Sequence, residues 1–139
     1  MVEYEIFPRL RLVRFSWSGI VSARQMVDVS IAYTRDPGFR PDFNMTMDLR
    51  GGRFAADIQE SLSEVVQGCL PYYESHEHSV RSALYAPDET AFEVARRYSA
   101  QARAMAHYPI EVFRTAGGAL RFLGVAPDDP EAERVYPSR

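Results

Sequence analysis

The sequence contains no lysine, and its sixteen Lys and Arg positions are all arginine. Schiff-base chemistry and P-loop phosphate binding both depend on a lysine amine, so the sequence excludes both. Arginine remains well suited to holding a carboxylate or a phosphate through two hydrogen bonds. The net charge of -3 argues against nonspecific nucleic-acid binding, which needs a basic face to neutralise phosphates.

Cysteine and long apolar runs are equally scarce. Cys69 is the single cysteine, which rules out an internal disulfide and is typical of a reducing compartment. No apolar run approaches the roughly 20 residues that a membrane span needs. The N-terminus carries acidic residues where a signal peptide carries positive charge. We therefore predict a cytoplasmic protein without a membrane span.

The chain has 139 residues, of which 46% are hydrophobic and 25% charged, as in an ordinary globular domain. Strand-like and helix-like segments follow one another in the order β-β-α-β-α-β-α-β-α. Residues 3–7 and 10–18 predict an antiparallel hairpin, and the alternation that follows predicts right-handed crossovers and parallel strands. We predict an α/β domain over residues 1–125, with one mixed, mostly parallel five-stranded sheet and about four helices.

Start signals mark the predicted helices. Ser22 and Gln25 have the spacing of a capping box, and the N-caps expected for the later helices are Asp57, Asp88 and Thr115. The second helix, whose apolar stripe includes Cys69, extends towards Tyr73 with Pro71 near its end. Because Cys69 lies on that stripe, we expect it to be buried and inert.

The remaining residues, 126–139, form a tail that is rich in proline and acidic side chains. Such a composition is typical of extended or disordered segments. The alternative is that Val135 and Tyr136 dock against the domain.

The stretch FNMTMDLRGG, residues 43–52, organises the rest of the chain. Its apolar residues alternate with Asn44, Thr46 and Asp48, which predicts a strand with one polar face. A polar face is unusual in a sheet that helices cover on both sides. Either the helices cover one face more fully, or the polar groups line a cavity or an interface.

This strand is followed by a glycine turn and a helix, which is where open α/β sheets usually place a binding site. The candidate ligand- or partner-binding residues are Asp48, Arg50, Gly51, Gly52 and Arg53. In one interpretation the arginines hold a small anion or a polar head group; in the other, Asp48 pairs with Arg50 or the local backbone. If the site binds a ligand or partner, Arg50→Ala should weaken capture and leave the melting temperature nearly unchanged.

No catalytic constellation is recognisable, and we predict no catalytic residues, no metal and no cofactor. His76 and His78, beside Glu74 and Glu77, allow a metal hypothesis, but their spacing is not that of a zinc site. We interpret this segment as a solvated loop. His107 is interpreted as a residue at a helix C-terminus, where the helix dipole favours it.

Several segments together resemble the STAS-like domains, relatives of the bacterial anti-sigma-factor antagonists that include the stage-II-sporulation-AA-like group. They are Trp17-Ser18-Gly19 after the hairpin, Asp36-Pro37, Asp48-Leu49-Arg50, IEVF at 110–113 and ALRFL at 119–123, within residues 3–124. The resemblance implies a non-enzymatic regulatory or protein-interaction domain whose partner surface is the turn at residues 48–57 with the adjoining helix. In the antagonists this turn carries a serine or threonine that a partner kinase phosphorylates. Here residues 48–57 contain no hydroxyl group to accept a phosphate.

The same fold class is also compared with CRAL-TRIO lipid-binding domains. The alternative function is therefore a carrier or sensor of a small apolar or amphipathic ligand, whose polar head would meet Arg50 or Arg53. A closed apolar cavity of a few hundred Å³ would favour a carrier, and a solid core with an exposed apolar patch would favour a partner domain. A homodimer through the polar sheet face or an exposed edge strand is left open.

Overall fold

A computed structural model describes residues 1–138 of the chain. Its elements, in chain order, are β1 (Val2–Phe7), β2 (Leu12–Trp17), β3 (Gly19–Val21), α1 (Ala23–Thr34), β4 (Asn44–Asp48), β5 (Gly52–Phe54), α2 (Ile58–Gly68), α3 (Leu70–Glu74), β6 (Ser82–Tyr85), α4 (Glu89–Ala102), β7 (Ile110–Phe113), α5 (Ala116–Phe122) and α6 (Ala132–Val135). A 3-10 turn at Pro8–Leu10 joins β1 to β2.

Five strands form one mixed sheet in the order β1-β2-β4-β6-β7. β1 and β2 are antiparallel, with Tyr4 opposite Phe15, and the other neighbouring strands are parallel. Within the described residues, four helices have seven residues or more: α1, α2, α4 and α5. The predicted α/β class, the five-stranded sheet and the N-terminal hairpin are confirmed.

The strand order follows the chain without a reversal. Because parallel crossovers are right-handed, successive crossovers in one direction place their helices on the same face of the sheet. α1, α2 and α4 accordingly share one hydrophobic core with the sheet, which includes Phe15, Met45 and Leu84. A sheet wound in one direction has no topological switch point, so the rule that places a ligand crevice at such a point does not apply here.

The helices α1, α2, α4 and α5 begin directly after the four predicted N-cap residues. Ser22 Oγ accepts a hydrogen bond from the Gln25 backbone N–H, and Gln25 Oε1 accepts one from the Ser22 N–H, which confirms the capping box. Asp88 and Thr115 cap α4 and α5 through their side chains. Asp57 occupies the N-cap position of α2, as predicted, but its side chain makes no cap hydrogen bond.

The predicted second helix is interrupted. α2 ends at Gly68, and Cys69 separates it from the short α3, in whose first turn Pro71 lies. Proline is tolerated there because the first backbone N–H groups of a helix have no partner within it. Among the described residues, no helix combines the length and the apolar character that crossing a bilayer requires.

β2 and β4 continue beyond the main sheet as a two-stranded parallel sheet, β3 with β5, which we call the arm. Ser16 pairs with Asp48 in the main sheet and Gly19 with Gly52 in the arm. The β4 side therefore contains one residue more than the β2 side, which makes a bulge. Gly51, with φ of 70°, adopts the left-handed conformation that favours glycine. The sequence analysis interpreted Gly51-Gly52 as a turn and did not predict the arm.

The face opposite α1, α2 and α4 carries a second, smaller core, which α5 and α6 form with side chains such as Leu12 and Ala83. The polar face of β4 belongs to this side, and the C-terminal segment covers it. Val135 is fully buried and Tyr136 is 8% exposed, so the docking alternative for the tail is the one observed. Arg139, the last residue of the predicted tail, lies outside the described residues. A homodimer through this face would have to displace the segment.

Candidate functional site

Asp48 and Arg50, the strongest candidates from the sequence, form an ion pair with each other. Arg50 Nε donates to Asp48 Oδ1 at 3.0 Å, and Arg50 Nη2 donates to Asp48 Oδ2 at 2.8 Å. The Arg50 backbone N–H also donates to Asp48 Oδ1, at 3.1 Å. The hydrogen bonds to Asp48 raise the pKa of Arg50 above its ordinary value. Two parallel hydrogen bonds between a guanidinium and a carboxylate form the strongest common kind of ion pair.

Arg50 also contacts the C-terminal segment. Its Nη2 donates to the backbone carbonyl of Pro137 at 2.8 Å, and its guanidinium carbon lies 5.3 Å from the centre of the Tyr85 ring. The Asp48 side chain is fully buried and that of Arg50 is 20% exposed. Of the two interpretations of this pair, the geometry is that of an internal pair.

The other three predicted site residues lie at the bulge and on the arm. Gly51 is exposed. Gly52 packs against Trp17 so closely that a Cβ at position 52 would lie 2.7 Å from the Trp17 Cβ. Arg53 is exposed, and within residues 1–138 its side chain has no hydrogen bond or ion pair. The five predicted residues are therefore divided between an ion pair at the end of β4 and three residues at the bulge and on the arm.

Ile20, which the sequence analysis did not single out, stands beside Arg53. It is 64% exposed and lies directly opposite Arg53 in the β3–β5 register. Among the described residues, Met1 is the only other large hydrophobic residue that is exposed. Trp17 at the end of β2 and Phe54 on β5 hold the arm, because their rings meet edge to face with their centres 5.3 Å apart.

A small apolar cavity lies between the sheet and the helices α1, α2 and α4. Its volume is about 30 Å³, which suits about two water molecules. Ligand pockets measure several hundred Å³. The lining is almost wholly apolar: Val2, Phe15, Trp17, Met26, Val29, Ser30, Met47, Leu49, Phe54, Val65, Cys69, Tyr72, Leu84, Val94, Ala95 and Tyr98.

His76 is buried, so the predicted solvated loop is wrong at this residue. Its Nδ1 lies 2.7 Å from the carbonyl oxygen of Tyr72, and its ring packs against those of Tyr33, Phe39 and Tyr108. Burial lowers the pKa of His76 to about 4. Within the described chain, its Nε2 is buried without a hydrogen-bond partner.

The two other histidines lie beside this cluster. The rings of His78 and His107 have their centres 4.4 Å apart, and His107 Nε2 donates to the His76 carbonyl at 2.6 Å. His107 lies beyond α4, which ends at Ala102, so its predicted place at the helix C-terminus is wrong. Among residues 1–138, no group of three or more His, Cys, Asp or Glu side chains could hold a metal ion.

Cys69 is buried, as predicted. Its Sγ lies 3.5 Å from Ser30 Oγ, and burial raises the pKa of the thiol. Because the thiolate is the nucleophilic form, a raised pKa disfavours nucleophilic chemistry at this residue.

Comparison with known proteins adds no relative: no protein-family model matches the chain, and a search of curated proteins finds no match. The functional interpretation therefore depends on the geometry of the arm, the internal ion pair and the cavity.

Proposed function

We propose that the protein is a small non-enzymatic regulatory or protein-interaction domain of STAS-like architecture, with the arm as its partner surface. The observation that carries this proposal is the exposed Ile20 beside the exposed Arg53 on a two-stranded extension of the sheet. A single exposed apolar side chain is common on protein surfaces. This one stands on a backbone held by Trp17, Gly52 and Phe54, so little conformational freedom is lost when a partner binds.

The chemistry of the arm also supports a protein partner. Arginine is enriched at protein interfaces, and an apolar neighbour supplies surface to bury. Arg53 makes no ion pair within residues 1–138, so a partner carboxylate can bind it without breaking an internal bond. The resemblance to STAS-like domains also supports the arm as the partner surface, because β5 of the arm lies within the turn at residues 48–57. With no hydroxyl in that turn, the proposed interaction is not controlled by phosphorylation there.

The alternative is a CRAL-TRIO-like carrier of a small apolar or amphipathic ligand. It is favoured by the apolar cavity, because Trp17 and Phe54 line the cavity and also hold the arm. Movement of the arm would therefore change the shape of the cavity. We place this alternative second because the cavity measures only about 30 Å³. A ligand could enter it only by displacing side chains of the core.

Site-specific photo-crosslinking tests the proposal. A photoreactive amino acid in place of Ile20, in protein expressed in its own cells, should give a protein adduct, whereas one in place of the exposed Gln101 on α4 should not. Arg53→Glu should suppress the adduct at position 20 and leave the melting temperature unchanged. Adducts of equal yield at both positions, or no protein adduct at position 20, would contradict the proposal. Native mass spectrometry of the same preparation tests the alternative, since a carrier would retain a small-molecule mass.

A further inference from the structure

The C-terminal residues 126–138, which we call the strap, lie across the polar face of the sheet as a bound peptide would. The Tyr136 hydroxyl lies 2.5 Å from Thr46 Oγ1, and the centre of its ring lies 4.8 Å from that of Tyr85. Val135 beside it is fully buried. Tyr136 therefore fills a pocket that strands β4 and β6 form in the middle of the sheet.

Two arginines hold the main chain of the strap. Arg14 Nη1 donates to the carbonyl oxygens of Arg134 at 2.6 Å and Val135 at 3.1 Å. Arg50 Nη2 donates to the carbonyl of Pro137. Every peptide carries main-chain carbonyls, so these three hydrogen bonds do not depend on the side chains of the strap. Arg134 and Val135 end the short helix α6, and the last carbonyls of a helix have no partner within it. Arg14 therefore binds a helix end, and Arg50 binds the carbonyl two positions beyond it.

The beginning of the strap is held mainly by exposed ion pairs. Arg9 pairs with Asp129 and Glu131, and Arg134 pairs with Glu5 at 3.0 Å. The Arg9 side chain is 56% exposed and that of Arg134 is 62% exposed. Exposed pairs of this kind contribute little to stability and are screened by salt. The anchor of the strap is therefore Val135 with Tyr136.

The surface beneath the strap combines apolar side chains, such as Leu12 and Ala83, with polar groups. Buried polar groups cost free energy unless they are hydrogen-bonded. Thr46 Oγ1 donates to the Ala83 carbonyl at 2.8 Å, a bond that does not involve the strap. Arg14 Nε is buried with no hydrogen-bond partner in the described part of the chain. A competing peptide that places an oxygen beside Arg14 Nε would gain a hydrogen bond that the strap does not make.

We propose that the face formed by Arg14, Thr46, Arg50 and Tyr85 is a peptide-binding groove, which the strap occupies as an intramolecular ligand. The partner is a peptide segment with an aliphatic–tyrosine–proline sequence, like residues 135–137 of this chain, in which Val135 ends the helix α6. It binds when it displaces the strap. The groove is separate from the arm, so this inference does not depend on the function proposed for the arm.

Peptide binding to the full-length protein tests the groove. The probe is a fluorescent peptide with the sequence of residues 126–139, and its binding is measured by anisotropy. Tyr136→Ala removes the anchor of the strap and leaves every groove residue in place, so it should bind the probe about tenfold more tightly than the wild type or better. Adding Arg14→Ala should reverse the gain, because two carbonyl hydrogen bonds are lost. A probe with alanine in place of its tyrosine should bind neither protein.

Equal affinity of the wild type and a folded Tyr136→Ala variant for the probe would overturn the proposal. If Tyr136→Ala does not fold, the same binding measurement is made on Tyr136→Phe. This variant keeps the ring and loses only the hydrogen bond to Thr46. Tighter probe binding by Tyr136→Phe than by the wild type supports a displaceable strap, and equal binding overturns it. If the variant instead forms a concentration-dependent dimer that does not bind the probe, the groove is occupied by a second copy of this chain. That result would overturn the proposed partner.

Discussion

Acidification should destabilise the protein through one buried side chain, His76. Burial against Tyr33 and Tyr72 lowers its pKa from 6.5 to about 4. In the unfolded chain the imidazole keeps its ordinary pKa, so between pH 6.5 and 4 the unfolded state binds a proton that the folded state does not. The free energy of unfolding therefore falls as the pH falls through this window, and above it His76 contributes no pH dependence.

The size of the effect follows from the same two pKa values. Their difference corresponds to a loss of about 3 kcal/mol once the pH is below both. At pH 4.5 the linkage relation gives a loss of about 2.5 kcal/mol, a large part of the roughly 5–15 kcal/mol that stabilises a typical domain. Asp36 and Glu93 have pKa values lowered below the ordinary 3.8 and 4.5 by hydrogen bonds, so they act mainly at lower pH.

Urea unfolding between pH 7.5 and 4.5 measures this loss. The single tryptophan, Trp17, is 4% exposed and reports unfolding by fluorescence. His76→Phe keeps a ring among the aromatic neighbours and removes the titrating group, so its stability should change by less than about 0.5 kcal/mol over the same range. The control His78→Gln, at an exposed histidine, should behave as the wild type. Parallel losses in the wild type and His76→Phe would refute the assignment to His76.

Two further predictions concern the segment after β4, and a control variant lies on α5. Gly52→Ala should lower the free energy of unfolding by about 1–3 kcal/mol through the clash with Trp17. In the control Gly117→Ala a Cβ meets no atom within 4 Å, so the free energy of unfolding should rise by about 0.5–1 kcal/mol. Urea titration measures both changes, and an unchanged stability of Gly52→Ala would contradict the packing of Gly52 against Trp17. Arg50→Ala should destabilise the protein by about 1–3 kcal/mol, because the buried Asp48 loses the two side-chain hydrogen bonds that Arg50 donates. A thermal melt checks this expectation, which replaces the unchanged melting temperature expected from the sequence; an unchanged value would show that the pair is not structural.

Signals that act within a few residues were read correctly from the sequence. The Ser22–Gln25 capping box and the caps at Asp88 and Thr115 depend on a side chain and a backbone N–H three positions away, so their spacing predicts them. The sequence did not predict the arm, because β3 and β5 have three residues each, which are too few to establish an alternating pattern. Its pairing also depends on a bulge at Gly51, whose position only the register shows.

His76 and the predicted tail show where local reasoning ends. Around His76 the sequence is polar, and the aromatic rings that bury it come from distant positions such as Tyr33 and Tyr108. The tail has the composition of a disordered segment, but Val135 and Tyr136 find buried positions on the sheet. A prediction from composition averages over the whole segment, so it does not detect two side chains, here Val135 and Tyr136, that anchor the segment.

The sequence by itself determined the α/β class, the antiparallel hairpin, the parallel strands and the burial of Cys69, because periodicity and caps are encoded locally. It also singled out Asp48 and Arg50, but two interpretations remained. Only the tertiary structure decided between them, because the carbonyl that Arg50 binds, that of Pro137, lies 87 positions away along the chain. The use of a charged side chain depends on which distant groups the folded chain brings within hydrogen-bond distance, and no local pattern encodes that.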